Sequence, residues 1–475
     1  MVDFTKPRSA VLIHGPVAMI LDAEARKALG LDFGDLVQGT FPIDVEELGD
    51  QRRRVEADLK DVRLFQPGIG LDKPPGSPAT FVAILSPDKE TGGTRLSDMR
   101  ISGRELFMSG SGLVRKSGGI DWLEFDSFRL QSDDSAKVTI QTDKNGNFSA
   151  KIEAARFDMR RVVENAKTGG IADGTAKSGD KHRYRVAAVI GSGRGYNGEI
   201  LQSIDIDLDM HGDTVSKLKM TGAFADNSTM RMEIAPKQGN PSPVLSIQSN
   251  NAGRLLRWLD LYSRVNGGQI GMNARLGPGA GDATGRWQMV NFAINQDPSL
   301  STLITQTGKM AEDPLWQAAA QRKAPSATNI GFDELYVDFS KSRGAFNLRN
   351  GVLRGPVVGA TFDGQVDFTG RRINVNGTYV PLYAINNFFG RVPLLGTILG
   401  GRADEGLIGV NFSVRGNLNR PNLIVNPVSA VTPGIFRLLL DAPSRSVPGG
   451  RSAPRSNGND VKTDPFDPLS QQNGR

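Results

Sequence analysis

The sequence predicts a mainly β fold, a long curled antiparallel sheet forming a hydrophobic groove, with a few short helices near the C-terminal end. Three observations carry that expectation. Apolar and polar residues alternate with a period of two over many short stretches, turn dipeptides separate these stretches, and helical periodicity is confined to brief segments. The alternation is clearest at Ile204, Ile206, Leu208 and Met210 against Asp205, Asp207 and Asp209. It returns at Met230/Met232/Ile234, Leu335/Val337/Phe339, Val366/Phe368, Ile373/Val375 and Ile408/Val410/Phe412/Val414. Between such runs lie Asn145-Gly146, Gly212-Asp213, Asp226-Asn227, Asn350-Gly351, Thr369-Gly370 and Gly416-Asn417. Connections this short make successive strands antiparallel neighbours.

Helical spacing is visible at Asp22–Leu29, Phe157–Lys167 and Pro298–Lys309. It is strongest at Asn251–Val265, where Leu255, Leu256, Leu259, Tyr262 and Val265 recur at three- and four-residue steps ahead of Gly267-Gly268. Short apolar helices are expected at Tyr383–Phe389 and Pro393–Leu399, with Pro433–Leu440 behind them. The resulting plan is a β/helical lead-in (1–40), a β-repeat region (41–167), a linker (168–182) and a β-sheet region with helix 251–265 (183–310). A loop (311–328), a C-terminal region with apolar helices 383–399 (329–440) and a disordered Pro-, Ser- and Gly-rich tail (441–475) complete it. Setting helices and tail aside leaves about 370 residues, or roughly thirty strands at about 8–12 residues each. Open twisted sheets rarely exceed about ten strands without curling or splitting. So long a sheet with one oily face and few helices to cover it must form either several stacked sandwiches or a continuous gutter, and the gutter would suit acyl chains.

Composition narrows the function. Of 475 residues, 57 are Lys or Arg and 51 Asp or Glu, a net charge of +6 with the signs interspersed. That does not single out nucleic acid; an anionic membrane surface suits it equally. Cysteine is absent, which excludes disulfides, thiolate metal sites and a cysteine nucleophile. The histidines, His14, His182 and His211, are too far apart for a local metal motif. No uncharged stretch is continuous enough to span a bilayer.

Sequence motifs argue against catalysis. Gly191–Gly198 is followed by an alternating strand rather than the helix a phosphate loop needs, and reads as a hairpin turn. The Asp205/Asp207/Asp209 series has Met210 where a calcium loop requires glycine and Ser216 where it requires glutamate. Arg52-Arg53-Arg54 lies beside Glu46, Glu47 and Glu56 and reads as a solvated strand. The expectation is a protein that is not an enzyme and uses no cofactor and no metal. Its groove wall is sought at Ile204, Ile206, Leu208, Met210, Val366, Phe368, Ile373, Val375, Ile408, Val410, Phe412 and Val414. Phe388, Phe389, Leu394, Leu395, Ile398 and Leu399 would dock the C-terminal end at a membrane or partner.

A family likeness enters through an ordered series of segments. Leu348–Gly355, Gly359–Thr361, Gly377–Tyr383, Asn386–Gly396, Glu405–Gly409 and Asn426–Gly434 resemble the C-terminal region of AsmA-like envelope proteins, in the YhdP branch related to TamB. Val55–Asp61 and Leu71–Gly76 are similar to that family's central repeats. The resemblance implies a curled β-sheet with a hydrophobic groove, part of a bridge-like protein of the Gram-negative periplasm that moves phospholipid toward the outer membrane. Its implied partners are phospholipid acyl chains, a membrane surface at the C-terminal end and an upstream segment anchored in the inner membrane. No catalytic residue and no nucleic acid are implied. The competing expectation is a periplasmic scaffold for outer-membrane protein assembly or envelope integrity, acting through sheet edges.

Overall fold

The structure, a computed structural model, describes residues 17–28, 36–168, 182–212, 214–235, 243–277, 281–303, 328–356, 358–381 and 408–430. Among the described residues it is mainly β, with 67% in strands and 9% in helices. The first strands are β1 (Val17–Leu21), β2 (Val37–Gln38), β3 (Phe41–Gly49), β4 (Arg52–Asp58), β5 (Arg63–Gln66), β6 (Leu71–Lys73), β7 (Ala79–Pro87) and β8 (Thr94–Gly103). Then come β9 (Phe107–Val114), β10 (Ile120–Arg129), β11 (Ser135–Thr142), β12 (Phe148–Asp158), β13 (Arg183–Arg194), β14 (Ile200–His211), β15 (Thr214–Ala223) and β16 (Thr229–Ala235). The remainder are β17 (Val244–Ser249), β18 (Val265–Leu276), β19 (Ala283–Asn295), β20 (Asn329–Ser342), β21 (Ala345–Arg354), β22 (Val358–Asp367), β23 (Arg372–Pro381), β24 (Ile408–Asn417) and β25 (Arg420–Ala430). The helices among the described residues include α1 (Ala23–Ala28), α2 (Arg160–Thr168) and α3 (Ala252–Trp258). Twenty-two strands share one large, long antiparallel sheet, and β2, β5 and β6 form a small second sheet that the alternation did not foretell.

The chain divides into two compact units, 1–162 with 174–192 and 208–214, and the remaining residues. In the first, register runs β1–β3–β4–β7–β8–β9–β10–β11–β12, every pair antiparallel. Cross-strand partners share a face, so Ile43, Ala57, Phe81, Ile101, Met108, Phe128, Ala136 and Ala154 form one apolar row. On the opposite face Lys137 faces Glu153 and Glu46 faces Arg54. Arg52, Arg53 and Arg54 are exposed on that charged strand.

One pair of strands departs from the antiparallel order. Arg183 N–H donates to Asn147 Oδ1 (2.9 Å), and a Cβ on Gly191 would fall 2.9 Å from the Ala155 carbonyl oxygen. Residues 147–155 and 183–191 therefore run the same way, so β12 and β13 are parallel. Parallel neighbours need a long crossover, and this one begins with α2. The helix expected from Phe157 starts at Arg160 because Phe157 and Asp158 still belong to β12.

In the second unit, register runs antiparallel from β15 through β16, β17, β18, β19, β20, β21, β22, β23 and β24 to β25. The helix expected over 251–265 is shorter. α3 closes at Trp258, and Val265, Gly267 and Gly268 belong to β18, where the glycines adopt φ of 64° and 78°. Three- and four-residue apolar spacing continues past the helix because Val265 is a buried strand residue, not a helical one.

Asn251 caps α3, its side chain accepting from Arg254 N–H (3.1 Å). Gly253 lets the helix lie against the Val265 carbonyl, and the Trp258 indole covers Gly195 while its Nε1–H donates to Gly193 O (3.2 Å). Glu199 accepts from both Arg254 (2.9 Å) and Arg257 (2.7 Å), fastening the helix to the start of β14. Residues 298–303 form the start of the expected 298–309 helix, with Asp297 Oδ1 accepting from Leu300 N–H (2.9 Å). The calls at Tyr383–Phe389, Pro393–Leu399, Pro433–Leu440 and the tail lie outside the described residues, as do 169–181 and 311–327.

Within this unit the sheet curls. Lys167 Nζ, near the end of α2, lies 4.9 Å from the centre of the Tyr196 ring and 5.9 Å from that of Phe368. Tyr196 precedes β14 and Phe368 follows β22, eight strands later in chain order. One lysine reaches both only if the intervening strands bend around it.

Candidate functional site

Register in the second unit collects apolar side chains into long rows. Ile270, Met289, Leu335, Leu353, Ala360, Tyr379 and Val410 make one row. Gly285, Phe339, Leu348, Gly364, Val375, Val414 and Leu423 make a second. A third is Ala283, Lys341, Phe346, Val366, Ile373, Gly416 and Pro421, where the only charge is Lys341 near the strand ends. All three occupy one face, because side chains two apart on a strand point the same way.

This face is filled at one end and half-open along the rest. Tyr379 and Val358 are fully buried at that end, and Val410 beside them is 1% exposed. Toward the opposite strand ends Phe346, Leu348, Phe362, Val366, Phe368, Ile373, Phe412 and Val414 are half-buried. An aromatic chain crosses this stretch. Trp287 and Phe339 are 6.4 Å apart, Phe339 and Phe346 5.6 Å, and Phe346 and Phe368 5.6 Å between centres. Glycines make room for neighbouring rings: Phe362 lies over Gly351, and Phe412 over Gly377, where an added Cβ would meet the ring at 2.5 Å in each case.

The other face is wet. Thr378 Oγ1 donates to Asn411 Oδ1 (2.9 Å), Ser413 Oγ to Asn376 Oδ1 (2.8 Å) and Gln365 Nε2 to Asn347 Oδ1 (3.0 Å). An open depression of about 550 Å³ over β22, β23 and β24 is bordered by Asp363, Asn376, Asn411 and Arg415, with Phe362 and Phe412 at its margin. On β19 and β20, the Arg286 hydrogen bond (2.6 Å) holds the Asp338 carboxyl below its ordinary range, against the opposing effect of burial. Burial pushes the Tyr336 hydroxyl up, and its ring lies between the Arg286 and Arg354 guanidiniums, 5.5 Å from each. These pairs brace the strands from the solvent side and leave Lys341 as the one charge in the three apolar rows.

The structure distributes the sequence-derived candidates over both roles. Val366, Ile373, Val375, Val410, Phe412 and Val414 share the face described, and Phe368 joins it through Phe346. Val375 and Val410 are packed core, whereas Val366, Phe368, Ile373, Phe412 and Val414 remain half-open. Ile408 opens β24 opposite Ala430. On β14, Ile204 and Met210 are buried and Ile206 and Leu208 half-buried, while Asp205 and Asp207 are exposed. Asp209 pairs with Arg183, consistent with a strand's outer face. Phe388, Phe389, Leu394, Leu395, Ile398 and Leu399 lie outside the described residues.

Trp287, Phe339 and Phe346 complete the wall and were not among the candidates. Their signal was present in Trp287/Met289 and Phe346/Leu348, each an alternating pair too short to stand out. Among the described residues no group of His, Asp and Glu is arranged to hold a metal, and no helix is long and apolar enough to cross a membrane. Compared with known proteins, the chain matches no family model, no curated protein and no solved structure.

Proposed function

We propose that this chain is a non-enzymatic lipid-binding segment of a bridge-like phospholipid transport protein of the Gram-negative envelope, working in the periplasm. The observation that carries the reading is the half-open apolar face of β19 to β24, continuous across strands and backed by a hydrogen-bonded polar face. A contiguous apolar surface left half-open in this way is suited to binding an apolar ligand. Acyl chains suit it because apolar contact is non-directional, about 0.8 kcal/mol per buried methylene, so a chain can shift along the face without breaking a specific bond. Headgroups would remain in water at the open side, and the apolar segments near Phe388 and Leu395 would supply a docking end. The likeness to AsmA-like proteins supports the same reading.

The test uses two adjacent residues on opposite faces. Ile373 lies on the apolar face and is half-buried; Asn374 is exposed on the polar one. Phospholipid is expected to co-purify with the protein and to be identified by mass spectrometry. Ile373→Asp should reduce bound lipid several-fold and Asn374→Asp should not. Absence of lipid from the wild-type protein, or equal lipid in both variants, overturns the reading.

A further inference from the structure

We infer that the linked turn tips at the ends of β20 to β25 form a docking edge for an anionic phospholipid bilayer. The inference goes beyond lipid binding in the apolar face, since it concerns the surface of a membrane and is read from the charged turn tips, with part of that face only as their border. Three hairpin turns lie side by side here, tied by main-chain hydrogen bonds. Phe368 N–H donates to Gly344 O (3.1 Å) and Leu418 N–H to Arg371 O (2.9 Å). The turns therefore present one continuous rim rather than three independent loops.

Charge on this rim is one-sided. Lys341, Arg343, Arg371, Arg372, Arg415 and Arg420 are set against a single acid, Asp367. That carboxylate is engaged within its own turn by Gly370 N–H (2.8 Å). Arg343, Arg371, Arg372 and Arg420 are exposed and make no ion pair among the described residues. This contrasts with the outer face a few residues away, where Arg286 and Arg354 are each matched with a carboxylate. An edge whose arginines meet no carboxylate among the described residues is complementary to an anionic partner.

Backbone conformation at the tips points the same way. Arg343 and Gly344, at φ of 48° and 79°, are the two central residues of a hairpin turn that requires positive φ at both. Arg371 sits at φ of 51°. Left-handed backbone favours Gly, Asn or Asp, so local preference does not account for arginine at either tip.

Apolar residues adjoin the rim. Phe346, Val366, Phe368, Ile373 and Leu418 are half-buried within a few residues of these arginines. Basic side chains bordering apolar ones match the headgroup and acyl layers of a bilayer. A nucleic acid would use the charge but would leave the aliphatic Val366, Ile373 and Leu418 of this border unmatched.

The experiment is flotation of the full chain with vesicles of phosphatidylcholine containing about 30% phosphatidylglycerol, with pure phosphatidylcholine vesicles as the reference. Binding is expected only to the anionic vesicles, and to weaken as salt rises from about 0.05 to about 0.5 M. Each arginine near such a surface is worth about fivefold, so the variant R343G/R371G/R420Q should bind about 100-fold more weakly. Glycine is at home at both left-handed positions, so its melting temperature should not fall. The variant R343K/R371K/R420K should keep the affinity. Equal binding by the glycine variant, equal binding to neutral vesicles, or displacement of the vesicles by a short RNA that binds more tightly would each overturn the inference. None of these outcomes bears on lipid co-purification, which reads the apolar face alone.

Discussion

Asp226 ties the turn between β15 and β16 to the start of α3 through a single carboxylate. It accepts from Ser228 Oγ (2.5 Å), Ser228 N–H (3.1 Å) and Asn251 Nδ2 (2.9 Å), and pairs with Arg254 at 2.9 Å. Burial by itself would raise its pKa, but these hydrogen bonds and the Arg254 charge hold it down to about 2 from an ordinary 3.8. A carboxyl depressed on folding adds stability that is fully present above its unfolded pKa and is lost as pH falls through the folded one. Melting temperature should therefore decline between about pH 4 and about pH 2, and Asp226→Asn should flatten that part of the profile while lowering stability at neutral pH. An unchanged acid limb in the variant, followed by circular dichroism, would remove Asp226 from the account. Lys73 shows the opposite environment. Burial pulls its ammonium below the ordinary lysine value, while the carbonyls of Val62 (2.8 Å) and Lys60 (3.2 Å) accept from it and tie the small sheet to the preceding loop.

Among the helices, α3 packs closely against the start of β18 and the turn ahead of β14. Its Trp258 is 2% exposed, covers Gly195 and donates to Gly193 O. Trp→Ala in a core costs about 3–5 kcal/mol, and Trp258→Ala should lower the denaturant midpoint of the second unit accordingly, with the Glu199 clamp unable to compensate. Phe at this position keeps most of the volume and should cost about 1 kcal/mol for the lost hydrogen bond. The same helix shows how far the sequence could be read. Its start at Asn251 and its apolar face were legible, because capping and helical periodicity are local properties. Its end was not, because Val265 continued the spacing from a neighbouring strand. Likewise the period-two alternation at Ile204–Met210 and Ile373/Val375 identified strands and faces correctly, since one face is buried and the other solvated. What alternation could not supply was the crossover between β12 and β13, the small sheet, and the membership of Trp287 and Phe346 in the wall. Those are set by which strands pair, a non-local property.

At the scale of the molecule, the apolar face of the second unit is longer than the ligand proposed for it. From β18 to β25 there are seven strand-to-strand steps, about 34 Å at about 4.8 Å each. A chain from one leaflet is about 15 Å, half of a hydrocarbon core of about 30 Å. The face can therefore hold a chain at more than one place, and a conduit differs from a store in how those places are coupled. Trp287 on β19 and Val414 on β24 mark two half-buried points well apart on it. In a conduit, a charge at either point interrupts passage for every lipid, because each must cross both. Trp287→Glu and Val414→Glu should then each abolish lipid transfer between donor and acceptor vesicles, while each leaves roughly half of the lipid bound. If the sites are independent, transfer should instead fall only in proportion to bound lipid, and the double variant should show the sum of the two losses. Measuring transfer rate and bound lipid on the same preparations separates the cases, and proportional loss would exclude a continuous path along this face.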